Sequence, residues 1–259
     1  MLKTAQKAAK IGGEILKKEF RKLKDNQIDV KGKGDYVTDL DYKSEGEIIS
    51  YIKKKYPDHT IIAEETANKK IKAEYQWIID PLDGTTNYIQ GIPVYAVSIG
   101  MAVKGNITVG VVYSPETEEM FWAEKGKGAY LNNHPIQVSK KNIMDDVIIA
   151  TGFPFKIKEN LDLYLNQFKK LFLQSSGIRR MGSAAVDLAY TACGIIDGFW
   201  EMKLNPWDVA AGSLLIQEAG GKVTDFEGEE TYLESGNIAA GNPFVHGKII
   251  EVTKPRFNS

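Results

Sequence analysis

An apolar run, Trp77-Ile78-Ile79, ends in Asp80, and a second acid, Asp83, follows across Pro81 and Leu82 before Gly84, Thr85, Thr86 and Asn87. Such a run bounded by proline and glycine reads as a buried strand, and a buried strand tolerates carboxylates at its end only where something compensates their charge. A metal ion is the natural compensation. A tight turn through Pro81 and Leu82 aims both carboxylates at one point and frees the Leu82 carbonyl as a third oxygen, the ligand set that hard cations such as Mg²⁺ prefer. Gly84 lets the backbone approach a ligand, and Thr85 and Thr86 open the next segment with free N–H groups, which favour an anion. Metal and amides together point to phosphate. Taken alone, the same stretch also reads as an Asx turn and helix cap with solvated carboxylates.

The stretch is accompanied by others like it. Glu64 and Glu65 end a second apolar strand, TIIAEE; Asp35, Asp39 and Asp41 cluster in GDYVTDLD; and Asp208 follows Asn205-Pro206-Trp207 at the start of an apolar helix. Each has an ordinary structural explanation: a strand leaving the core, acids favoured at a helix N-terminus, a first-turn residue after an asparagine cap with proline at the first helical position. Carboxylates at the ends of several buried elements are nevertheless what a two-metal site needs, with ions about 3.5–4 Å apart.

The 259 residues are 43% apolar, enough for one large core or two intimate halves. With 26% charged residues and a formal net charge of −1, no bulk electrostatic argument favours nucleic acid or an anionic membrane. A membrane-length apolar run is absent, the lysine-bearing start has no signal-peptide pattern, and the single Cys193 in AYTACG excludes an internal disulfide. These features read as cytoplasmic, with Cys193 an inert core thiol. His59, His134 and His246 lack the spacing of a zinc site.

Periodicity places a helix over 2–24, with Ala5, Ala8, Ala9, Gly12, Leu16, Phe20 and Leu23 on one face. A second helix starts from a Thr38 or Asp39 cap and closes before Pro57. TIIAEE and YQWIID read as short buried strands, and residues 95 to 133 as an antiparallel meander. After about Ser139 strands and helices alternate: IIATGF, NLDLYLNQFKKLFLQ, SAAVDLAYTACG, DGFWEM, PWDVAAGSLLIQEAG, NIAAGN and a last helix. The fold class is α+β, in two intimately packed subdomains, 1–138 with most of the candidate ligands and 139–259 supplying Asp208.

The stretches WIIDPLDGTTNYIQGIPVYAVSIG, GDYVTDLD, IIAEE and NPWDVAAGSLLIQEAGGKVTD resemble, in order and across nearly the whole chain, the signature segments of the inositol monophosphatase family, including its bifunctional fructose-1,6-bisphosphatase branch. The resemblance implies a layered αβαβα sandwich, usually a homodimer, and a lithium-sensitive, Mg²⁺-dependent phosphomonoesterase using two or three ions, with Mn²⁺ as a substitute. It assigns Glu64, Asp80 and the Leu82 carbonyl to one metal and Asp80, Asp83 and Asp208 to a second. Asp41 and Thr85 become the pair that activates the attacking water. Asp83, Gly84, Thr85, Gly182, Ser183, Ala184, Glu201 and Asp208 border the substrate, with Glu201 accepting a substrate hydroxyl.

The segment between Glu65 and Trp77 is short, and Lys203 and Asn205 lie between Glu201 and Asp208; both resemble the bifunctional branch. Arg179, Arg180 and Lys203 are then candidates for the distal phosphate of fructose 1,6-bisphosphate, against the plainer reading of Ile-Arg-Arg as a solvated strand end. KGKG at 31–34 matches the family's mobile catalytic loop, whereas KGKG at 125–128 reads as a hairpin turn. Inositol 1-phosphate and fructose 1,6-bisphosphate are the expected substrates. The alternatives are the 3′-phosphate of adenosine 3′,5′-bisphosphate, or a binding role in transcription complexes, as some family members have. A small phosphorylated polyol or sugar is the expected partner, with neither nucleic acid nor membrane.

Overall fold

In the computed structural model, α1 (Leu2–Glu19) buries Ala5, Ala8, Ala9, Gly12 and Leu16 along one stripe, as the 3.6-residue spacing dictates. It stops short of the expected end at 24. Phe20 leaves the helix at φ −57°, ψ 133°, and its ring packs against Tyr88 and Tyr95 at 5.5 and 5.2 Å. The structure describes residues 1–24, 27–32, 35–66, 73–153 and 158–254.

Between α1 and the second helix the chain forms an antiparallel hairpin, β1 (Ile28–Gly32) with β2 (Asp35–Thr38), which the sequence pattern does not show. Residues 33 and 34 of the first KGKG lie outside the described residues, as do 67–72 of the short segment after Glu65. In α2 (Asp39–Lys55), Thr38 is the cap and Asp41 completes a capping box, satisfying N–H groups that the helix itself cannot. Then follow β3 (Thr60–Ala63), β4 (Tyr75–Asp83) and α3 (Thr85–Ile89). The meander is β5 (Ala96–Val103), β6 (Asn106–Ser114), β7 (Glu119–Glu124), β8 (Ala129–Leu131) and β9 (His134–Ile136). The second KGKG joins β7 to β8.

After these come β10 (Ile148–Thr151), α4 (Leu161–Phe172), β11 (Gly177–Arg179), α5 (Ala184–Ala192), β12 (Gly198–Glu201) and α6 (Pro206–Glu218). The last elements are β13 (Lys222–Thr224), α7 (Tyr232–Ser235), β14 (Ile238–Gly241) and α8 (Pro243–Thr253).

A seven-stranded sheet runs β3-β4-β5-β6-β7-β8-β9 and a five-stranded sheet β11-β10-β12-β14-β13. Helices α1 and α2 cover one face of the larger sheet, α5 and α6 lie between the two sheets, and α4 and α8 cover the outer face of the smaller one. This is the layered αβαβα sandwich. The expected division at 138/139 falls between the sheets, while the central core draws Ala96, Val112 and Phe121 together with Leu188, Phe199 and Leu215. Gly100 and Gly110 face α6, where an added Cβ would meet Ala210 or the Ala211 carbonyl at 2.9 and 2.6 Å. The helix therefore seats close to the sheet and carries its first turn toward the end of β4. Cys193 ends α5 half-buried, its thiol pushed up to about 11 by burial, which keeps it protonated at neutral pH.

Candidate active site

The two acids of β4 reach one place because the strand is irregular between them. Asp80 pairs with Ser98 and Asp83 with Ala96, so three steps on β4 oppose two on β5. In a regular strand residues three apart point to opposite faces; one extra residue reverses that. Pro81 has no N–H to lose from the ladder at this point. The turn inferred from sequence is a β-bulge.

Asp208 arrives from the other half. Asn205 caps α6 with Pro206 in its first turn, and the Asn205 N–H donates to Asp208 Oδ2 at 2.7 Å. Ser98, the ladder partner of Asp80, donates its hydroxyl to the Trp207 carbonyl at 3.1 Å, tying the start of α6 to β5. Asp208 is thus both a capping residue and a member of the site. Asp80, Asp83 and Asp208 each offer an oxygen within 4.8 Å of the others, the one such group among the described residues.

Their electrostatics follow from this crowding. Asp80 is 1% exposed; burial first, then the charges of Glu64, Asp83 and Asp208, push its carboxyl well above the usual range. Its Oδ1 accepts from the Leu82 N–H at 3.0 Å. Burial also raises Asp83, although its Oδ2 accepts from Ser183 Oγ at 2.5 Å and the Ala185 N–H at 2.6 Å. Three carboxyl groups set this closely are a poor arrangement for a bare protein and a good one for a hard divalent cation. The donor set fits Mg²⁺.

Beside the triad, Asp41 Oδ2 accepts from the N–H and hydroxyl of Thr38 at 2.8 and 2.6 Å, leaving Oδ1 3.3 Å from Thr85 Oγ1. Thr85 Oγ1 also lies 3.0 Å from the Leu82 carbonyl. One hydroxyl proton serves two acceptors, so Thr85 can turn between them. Burial pushes Asp41 up to about 6 against the lowering effect of its Thr38 hydrogen bonds.

Two glycines close the site. Gly84 (φ +94°) would place a Cβ 3.0 Å from the Val94 carbonyl and 3.2 Å from that of Gly182; Gly182 (φ +92°) would place one 2.7 Å from both Arg180 Nη1 and Asn87 Nδ2. Left-handed backbone and close approach both call for glycine. Asn87, not singled out in the sequence, donates to the carbonyls of Val94 and Met181 at 2.8 and 2.7 Å and so joins α3 to the loop before α5.

The resulting cleft, about 360 Å³, is lined by Glu64, the three aspartates, Leu82, Gly84, Thr85, Gly182, Ser183, Ala184 and Glu201, and further by Tyr36, Gly152, Arg180, Asp187 and Lys203. That size suits a small ligand. Arg179 is not part of it: Arg179 is exposed, and its guanidinium donates to the neighbouring Ile178 carbonyl at 3.2 Å. β11 ends there, and it is the next residue, Arg180, that reaches the cleft. Burial pushes Glu201 up to about 8, with Arg180 opposing and Asp208 and Asp83 adding to the rise. No helix among the described residues is long and apolar enough to cross a membrane.

The inositol monophosphatase family model matches residues 1–256. Nus factor SuhB of Escherichia coli K12 is 47% identical over 246 residues, covering 95% of this chain and 92% of that protein. Among solved structures, the extragenic suppressor protein SuhB of Bartonella henselae superposes with a TM-score of 0.92 at 40% identity, covering 97% of each chain. The inositol monophosphatase of Anabaena gives 0.87 at 38% identity, covering 97% of this chain and 94% of that one. The chain belongs to the inositol monophosphatase family.

Proposed function

We propose that the protein is an Mg²⁺-dependent phosphomonoesterase acting on inositol 1-phosphate. The convergence of Asp80, Asp83 and Asp208 carries this reading. Glu64, Asp80 and the Leu82 carbonyl would hold one ion, and Asp80, Asp83 and Asp208 a second. Mg²⁺ bound there supplies Lewis acidity toward phosphate and neutralises the charge of the leaving alkoxide.

The chain's own groups do the rest. Asp41, held by Thr38 and pushed up to about 6, is a base matched to neutral pH, and it takes the proton of the attacking water through the Thr85 hydroxyl. The backbone N–H groups of Gly84 and Thr85 face the phosphate oxygens at the start of α3. Gly182, Ser183 and Ala184 form an edge of the pocket, and Glu201 accepts a hydroxyl of the polyol.

The decisive experiment is Mg²⁺-dependent phosphate release from inositol 1-phosphate by wild type and Asp83→Asn. Release by wild type, lost in the variant, supports the reading; no release by a folded, Mg²⁺-supplied wild type overturns it. Fructose 1,6-bisphosphate has weaker support. Arg180 and Lys203 line the cleft, but none of the relatives above is named for that activity.

A second reading rests on the name Nus factor carried by the 47% identical relative: a binding role in a transcription complex, alongside catalysis or without it. Retention of tagged Asp83→Asn protein on assembled transcription complexes at the wild-type level would separate this role from the chemistry. Absence of both proteins from such complexes would end it.

A further inference from the structure

The same cleft holds a second pair of acids that the metal does not account for. Asp187, on α5, is 2% exposed, and no hydrogen bond reaches its side chain from the described residues; its Oδ1 is buried and unpartnered. Glu201, at the end of β12, likewise accepts no hydrogen bond from the described residues, and it raises Asp187 by charge as Asp83 does. Arg180 alone opposes that effect. Leaving a buried acceptor unmade is expensive, and native structures rarely do so without a reason. Both acids line the cleft, so the missing donors have one way in.

Local geometry shows that the arrangement is built. Gly152 follows β10, and a Cβ there would fall on the Glu201 carboxyl group; the acid occupies the space of an absent side chain. Asp187 lies one helical turn beyond Ser183, which puts both on one face of α5. That face ties Asp83 through Ser183 and places Asp187 on the lining of the cleft.

We propose that Asp187 is a specificity-determining residue which, with Glu201, accepts hydrogen bonds from two hydroxyls of a polyol leaving group. This rests on the phosphatase reading and adds Asp187 as a second acceptor beside the Glu201 assigned there. A site built to accept from substrate hydroxyls discriminates strongly against an analogue that lacks them, because its own buried groups are then left unpaired. A monoester without hydroxyls meets the metal side of the cleft alone.

The test compares kcat/KM for inositol 1-phosphate with that for p-nitrophenyl phosphate in wild type, Asp187→Ala and Asp187→Asn. In Asp187→Ala the ratio of the two should fall about tenfold or more, through KM for the polyol ester, and Asp187→Asn, which keeps a carbonyl acceptor of the same size, should recover part of it. A ratio within about twofold of wild type, with both substrates losing equally, overturns the proposal. Should the alanine variant fail to fold, the wild type decides alone, using inositol 1-phosphates that each lack one hydroxyl. Two different deletions that each reduce kcat/KM about tenfold or more support two acceptors, whereas one such position or none overturns the proposal. Wild-type failure to release phosphate from either ester would instead overturn the phosphatase reading and this one with it.

Discussion

The cleft has two acidic walls with opposite hydrogen-bonding character. On the wall built by the β4 bulge and the start of α6, each aspartate is already held: Asp80 by the Leu82 N–H, Asp83 by Ser183 and Ala185, Asp208 by the Asn205 N–H. On the wall built by α5 and β12, Asp187 is buried, Glu201 is half-buried, and neither is held by a donor of the described residues. A carboxylate that must meet an ion at fixed length benefits from orientation by its neighbours. One that must accept from a ligand is better left unpaired until the ligand comes. Burial alone does not separate these roles; the donor pattern does.

The largest expected effect lies on the oriented wall. Asp208→Asn should lower phosphate release roughly 10³-fold, since a metal's Lewis acidity is worth several kcal/mol and each 1.36 kcal/mol is tenfold. It should do so for inositol 1-phosphate and p-nitrophenyl phosphate alike. Loss confined to the polyol ester would place Asp208 with the other wall and break the comparison.

Ser183→Ala comes next. It removes one of the two donors on Asp83 Oδ2 and the cap whose oxygen accepts from the Val186 N–H at 3.3 Å. Loss of an outer hydrogen bond to a ligand group typically costs about 10–100-fold in metal affinity, and loss of the cap about 1 kcal/mol of stability. A Mg²⁺ titration of activity should therefore shift its midpoint upward by that factor. An unmoved midpoint would mean that Ala185 suffices to orient Asp83.

Gly152→Ala probes the unpaired wall from behind. An added methyl group displaces the Glu201 carboxyl, so kcat/KM for inositol 1-phosphate should drop about tenfold, the scale of one lost hydrogen bond to a buried acceptor, with p-nitrophenyl phosphate less affected. Equal loss on both esters would show that the displacement spreads to the metal side.

The two walls also differ in how far the sequence disclosed them. Asp80 and Asp83 stand where an apolar run ends and Asp208 where one begins, so their cost shows in one dimension; even their geometry was half visible, since Pro81 between two acids marks an irregular strand. Most strands and helices were legible because period-2 and period-3.6 patterns survive wherever one face is buried. The first hairpin was not, its strands being only five and four residues long and meeting in the KGKG sequence. Asp187 sits inside SAAVDLAYTACG, where one acid in a helix reads as a solvent-facing residue; the signal was that small apolar residues surround it on every side. Gly152 looked like the end of a strand. Arg179 and Arg180 are adjacent, and which of them enters the cleft depends on where β11 stops, a matter of pairing that sequence does not fix.

The last test takes both walls at once, through pH. Glu201 is raised from an ordinary 4.5 to about 8, Asp41 from 3.8 to about 6, and Asp80 and Asp187 are also raised. A carboxyl raised in the folded state binds more protons folded than unfolded across the interval between the two values. Its contribution to stability is complete below the unfolded value and is lost as pH climbs through the folded one. The metal-free protein should therefore melt at progressively lower temperature from about pH 4 to about pH 8, by roughly ten degrees or more, at about 1.4 kcal/mol for each pH unit by which a carboxyl is raised and roughly 2–4 °C per kcal/mol at this size. Asp225 is lowered, so its contribution is lost only as pH falls below the ordinary carboxylate range, outside this window. Mg²⁺ binds the deprotonated carboxylates and stabilises by mass action, so its melting-temperature increment should grow over the same interval. The walls separate in the variants: Asp83→Asn should abolish the Mg²⁺ increment while keeping the upper part of the metal-free slope, and Glu201→Gln should flatten that upper part while keeping the increment. If both variants changed both quantities, the acids would titrate as one cluster, and the division into an oriented wall and a waiting one would fall.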